Sequence, residues 1–191
     1  MAENPVKKNL RLFLAIPLEE VFEQQIHTIL DFCHRKIPNV KWIIPSQAHL
    51  TLHFLGTTPA DQIPRIDEAM KEIVPSTAPI GVTLNGIGGF PNLRKPNVIW
   101  LGVRDETGQL LLLYQKIQNA IRQLGFEAEA RPFHPHVTLG RVKRACGNLE
   151  LLANQFGSLE SSSGKTLNRF VLYQSLCLPE GARYEVIKSY L

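Results

Sequence analysis

Residues 134–141 read HPHVTLGR, directly after Arg131, Pro132 and Phe133. Val137 and Leu139 alternate with His136 and Thr138. That two-residue period belongs to a strand with one apolar and one polar face. The pattern returns at 49–52, where HLTL alternates Leu50 and Leu52 with His49 and Thr51. In each segment the imidazole and hydroxyl share a face, roughly 6.7 Å apart along the strand. The echo reads as a repeated short motif and not as a structural repeat.

Working outward, LRLFLAI at 10–16 reads as a buried strand ended by Pro17. A helix over 19–36 puts Phe22, Ile26, Ile29, Leu30 and Cys33 on one apolar stripe before Pro38 stops it. KWII is a short strand, and the first HxT motif sits in a strand over 48–55. Residues 61–74 form a second helix, with strands at 79–88 and 97–103 joined by the turn-rich GGFPNLRKPN. A helix over 107–124 aligns Leu110, Leu113, Tyr114, Ile117, Ile121 and Leu124, and Gly125 supplies its C-terminal stop. A short helix at 148–156 and strands at 167–177 and 183–190 follow, with Ser161, Ser162, Ser163 and Gly164 as a surface loop. Strands and helices mix without strict βαβ alternation. The fold class is therefore α+β with a mainly antiparallel sheet.

A length of 191 residues suits one domain over 1–191, and 44% hydrophobic with 20% charged residues excludes intrinsic disorder. Lys and Arg number 21 against 17 Asp and Glu, a net charge of +4 that suits a phosphate-bearing partner without requiring one. Cys33, Cys146 and Cys177 are dispersed and form no C-x-x-C pair, which argues against a disulfide framework or zinc knuckle. The opening MAENPVKKN lacks an apolar core, and no run is long enough to cross a bilayer. The expectation is a cytoplasmic, monomeric protein without a membrane partner.

Either motif alone fits a solvated strand face. Two copies, each backed by an apolar face, favour chemistry. Histidine titrates near neutrality, so one imidazole can donate a proton while another accepts one. Threonine hydroxyls can donate to phosphoryl oxygens as charge builds there. A metal centre is disfavoured because neither histidine segment contains an acidic residue, and no cofactor is expected. By alternation His53 falls on the His49 face, roughly 13 Å away. His134 reads as a structural residue at the strand entrance. In a regular strand Arg141 points away from Thr138, but a bulge or strand end would swing its phosphate-matching fork toward the site. Phe90 and Trp42 are candidates for stacking on a base.

The paired H-x-T-φ motifs resemble the two-histidine phosphoesterase superfamily. Within it, the chain is similar to the RNA 2′,3′-cyclic phosphodiesterases of the 2′-5′ RNA ligase family. The likeness also runs through LFLAIPL, VKWIIPSQAHLTLHFLG, GGFPNLRKPNVIWLGV, RPFHPHVTLGRV and LYQSLCLPEGARYEVIKSYL. It implies two lobes of mainly antiparallel sheet with flanking helices and a site in the central cleft. It also implies His49 as proton donor and His136 as proton acceptor, with Thr51 and Thr138 beside them and Arg141 as a substrate-binding residue. The implied reaction opens a 2′,3′-cyclic phosphate, on an RNA end or a cyclic nucleotide, to a 2′-phosphate without a metal. The residues themselves leave the acid and base roles interchangeable. They also leave open the reverse 2′-5′ ligation, a non-catalytic RNA-binding module, and a small-metabolite cyclic phosphodiesterase.

Overall fold

The computed structural model describes residues 8–74, 77–144, 149–156, 164–179 and 181–191. Cys146 lies outside them, as do Ser161–Ser163 of the expected surface loop. The strands are β1 (Asn9–Pro17), β2 (Val40–Trp42), β3 (His49–Pro59), β4 (Ile80–Phe90), β5 (Val98–Arg104), β6 (His136–Val142), β7 (Lys165–Leu167), β8 (Phe170–Leu178) and β9 (Gly181–Tyr190). The α-helices are α1 (Glu19–Lys36), α2 (Ile63–Ile73), α3 (Gln109–Gln123) and α4 (Glu150–Phe156).

Every described strand pair is antiparallel, in the order β7-β4-β5-β6-β3-β1-β8-β9, with β2 added alongside β6. The α+β architecture follows the expectation. Its two halves meet between β3 and β6, where the described register is the single pair Leu50–Val137. One half contains β1, β3, β8 and β9; the other contains β2, β4, β5, β6 and β7.

Helices cover the face turned away from the cleft. The α1 stripe of Phe22, Ile26, Ile29, Leu30 and Cys33 is buried at 2% exposure or less. Each large apolar side chain there contributes about 1.5–3 kcal/mol by leaving water. The helix ends with Arg35 and Lys36, whose charges suit its carbonyl end. Phe32 of α1 meets Phe156 of α4 edge-on at 5.2 Å, beneath the half built on β4. Under the other half, α2 packs on α3 and β9, while α3 packs on β3. Leu110, Leu113, Ile117 and Ile121 of α3 are buried as its periodicity requires. Strand β7 was not anticipated, because three residues are too few to show a period.

Candidate active site

Leu50 and Val137 are fully buried and directly paired, so the apolar backs of the two motifs lock into one core. Their other faces carry His49, Thr51, His136 and Thr138, all half-buried. Extending the antiparallel register by one residue sets His49 opposite Thr138, and Thr51 opposite His136. The two histidines are then diagonal neighbours across the seam, a relationship that spans about 7–8 Å. Two motifs far apart in sequence thus form a single four-residue cluster.

Both rings are held in the same way. His49 Nδ1 lies 2.7 Å from the Gln47 carbonyl, and His136 Nδ1 lies 2.6 Å from the His134 carbonyl. A carbonyl only accepts, so each Nδ1 carries hydrogen and donates. With Nδ1 donating, Nε2 is the ring nitrogen that can accept a proton. Burial pushes the His49 pKa down to about 4, with the charges of His136 and Arg141 adding to that effect against the opposing Gln47 hydrogen bond. Burial also lowers the His136 pKa, opposed by its bond to the His134 carbonyl and aided by the neighbouring His134 charge. Without an anion in the cleft, both imidazoles favour the neutral form.

Aromatic rings wall each histidine. Around His49 stand Tyr184, Phe13 and Tyr173, with ring centroids at 5.0, 5.1 and 6.1 Å. Around His136 stand Phe90, His134 and Trp100, at 5.1, 5.9 and 6.1 Å. Trp100 lies across Gly88, where any Cβ would overlap its indole ring. This close approach explains a glycine in the middle of β4. Phe90, a candidate for base stacking in the sequence, is therefore beside the candidate site. Trp42 is not among the rings around either histidine: it contacts His34 at 6.3 Å and packs over Gly140, a structural position. The sequence reading missed Phe13, Tyr173 and Tyr184, whose place in strands also suits core residues.

Matching β-bulges come after the two motifs. In β3 the register with β1 steps from Thr51 to His53, leaving Leu52 unmatched. In β6 the register with β5 steps from Thr138 to Gly140, leaving Leu139 unmatched. The motif echo therefore continues into the backbone, beyond the four residues seen in sequence. A bulge inserts one residue and so reverses the facing of the residues beyond it. Arg141 thus comes round to the cleft face, and its charge acts on both His49 and Tyr184.

The same device corrects the reading of His53. It does not share the His49 face but turns into the core at 4% exposure. There its Nδ1 meets the Gln118 amide at 2.9 Å, while Gln118 Nε2 donates to the Leu52 carbonyl. Gln118 Oε1 also accepts from the Glu129 backbone N–H, at 3.3 Å. This buried amide from α3 ties the exit of the first motif to the segment leading into the second. His134, at the strand entrance, is exposed and contacts Trp100 edge-on at 4.6 Å.

Among the described residues, no group of three or more His, Cys, Asp and Glu is placed to hold a metal ion. Among them, too, no helix is long and apolar enough to cross a membrane.

A family model described as the 2′-5′ RNA ligase superfamily matches residues 35–173. An RNA 2′,3′-cyclic phosphodiesterase of Archaeoglobus fulgidus is 30% identical over 181 residues, spanning 95% of this chain and 99% of the relative. Another, from Thermotoga maritima, is 32% identical over 180 residues and 93% of each chain. Among solved structures, a Thermus thermophilus protein has a TM-score of 0.82 at 25% identity, over 95% of this chain and 97% of its own. E. coli LigT complexed with 3′-AMP has a TM-score of 0.75 at 26% identity, over 96% and 98% of the respective chains.

Proposed function

The chain belongs to the 2′-5′ RNA ligase superfamily, and we propose that it hydrolyses terminal RNA 2′,3′-cyclic phosphates by metal-independent acid–base catalysis within one two-lobed domain. The observation that carries this reading is the Leu50–Val137 pairing, which brings two identically tethered imidazoles to one cleft. The curated relatives named as RNA 2′,3′-cyclic phosphodiesterases agree with that chemistry.

In this reading the cyclic phosphate sits between the two Nε2 atoms. Neutral His136 takes a proton from water as the water oxygen bonds to phosphorus. The P–O3′ bond breaks opposite, and protonated His49 gives its proton to the departing O3′. The products are a 2′-phosphomonoester and a free 3′-hydroxyl. His136 then returns its extra proton to solvent, and His49 takes a fresh one. Thr51 and Thr138 donate to the non-bridging oxygens, and Arg141 offsets their charge.

The lowered pKa values give the substrate an active part in this scheme. Burial is the main cause that depresses His49, and a bound phosphate anion opposes the smaller share that comes from the His136 and Arg141 charges. The acid therefore gains its proton together with the substrate, and a group with an intrinsically low pKa releases it readily to O3′. His49→Ala and His136→Ala should each reduce turnover of 2′,3′-cyclic AMP at least a hundredfold, the lower range for losing general acid–base catalysis. Near-normal turnover by either folded variant overturns the assignment, and finding a 3′-phosphate product overturns the direction of cleavage.

A further inference from the structure

Phe54 is 58% exposed, on the cleft face of β3. It occupies the position after the first motif that Arg141 occupies after the second, since both bulges fall at the same place. Register aligns Phe54 with Phe13, Phe13 with Tyr173, and Tyr173 with Val186 across β3, β1, β8 and β9. Val186, at the far end of this row, is 57% exposed. Phe13 links the row to the chemistry, with its ring 5.1 Å from His49 and 5.9 Å from Phe54. The apolar face is therefore continuous with the reacting centre.

Its charge is one-sided. The four strands contain no Asp and one Glu, Glu185, which pairs with Arg183 at 3.8 Å. Arg11 and Arg141 both act on Tyr184, whose ring stands against Phe13 and His49. Phe13 itself is buried at 2% exposure, so the ring this face offers to a base is Phe54. An exposed aromatic ring beside cations makes a surface on which a base stacks while the backbone follows the positive charge. A monomeric cyclic nucleotide needs none of this. An RNA ending in a cyclic phosphate has every other nucleotide on the 5′ side of the reacting phosphorus, and those nucleotides need a path out of the cleft.

We propose that Phe54, backed by the buried Phe13 and flanked by Arg11, is the stacking platform of a track for the nucleotides 5′ of the cyclic end, making an oligonucleotide the preferred substrate. The proposal rests on the hydrolytic reading above. Its test compares kcat/KM for 2′,3′-cyclic AMP with that for a five-nucleotide RNA bearing the same cyclic end. Phe54→Ala should lower the oligonucleotide-to-mononucleotide ratio about tenfold, toward the lower end of a base–aromatic stack. Phe54→Trp should keep the ratio, and Arg11→Gln should lower it while flattening the salt dependence of oligonucleotide binding. An unchanged ratio in Phe54→Ala, or an equal loss on both substrates, overturns the track. Titration with a 3′-phosphorylated five-nucleotide RNA reads the track without turnover: undiminished affinity in Phe54→Ala overturns it. Wild-type protein that hydrolyses neither cyclic substrate but loses this affinity in Phe54→Ala counts against the hydrolytic reading and leaves the track standing.

Discussion

The low pKa of His49 makes the folded protein sensitive to acid in a window that one residue should dominate. In the unfolded chain this imidazole titrates at its ordinary 6.5, and in the fold at about 4. Between those values the unfolded state holds a proton that the folded state does not. Stability associated with His49 is thus complete above pH 6.5 and drains away as pH falls toward 4. Linkage gives a loss of about 2 kcal/mol between pH 7 and pH 5, out of a full difference of about 3 kcal/mol. Urea melts of the wild type and His49→Asn at those two pH values measure it. The other titrating groups are common to both proteins and largely cancel in the comparison. The variant should lose about 2 kcal/mol less than the wild type on acidification. Equal losses would mean that His49 is not held neutral by its surroundings, and the account of a proton arriving with the substrate would fail with it.

The pH profile of kcat/KM reports the free enzyme. With both imidazoles shifted down, its maximum should lie below pH 6.5, while that of kcat moves upward once the phosphate is bound; a kcat/KM maximum above pH 7 contradicts this. Gln118→Met removes the donor to the Leu52 carbonyl and strands the Glu129 N–H. It should cost about 2 kcal/mol in urea melts, as expected for a buried polar group left unpaired, and lower kcat more than it raises KM. EDTA should leave the steady-state rate on 2′,3′-cyclic AMP unchanged, and a loss restored by added metal would refute the metal-independent scheme.

The strand–helix order was legible because long amphipathic helices and alternating strands advertise their period. The stripe from Phe22 to Cys33 and the faces of both HxT motifs are where the alternation put them. The bulges were not legible. One extra residue in a strand leaves the composition unchanged, and neither Leu52 nor Leu139 differs in type from its regular neighbours. His53 was misplaced for that reason, and the turn of Arg141 could be posed only as a condition. The ring cluster at His49 was hidden differently. Phe13, Tyr173 and Tyr184 come from three strands distant in sequence, and only the sheet order brings them together.

That order has a consequence for how the molecule comes apart. Following the chain, it visits one half with β1, crosses to the other for β2, returns for β3, crosses again for β4 through β7, and comes back with β8 and β9. Neither half is an unbroken length of polypeptide, so neither can be cut out as one continuous fragment. The halves are laced together by the polypeptide itself, although the described register between β3 and β6 is one residue pair.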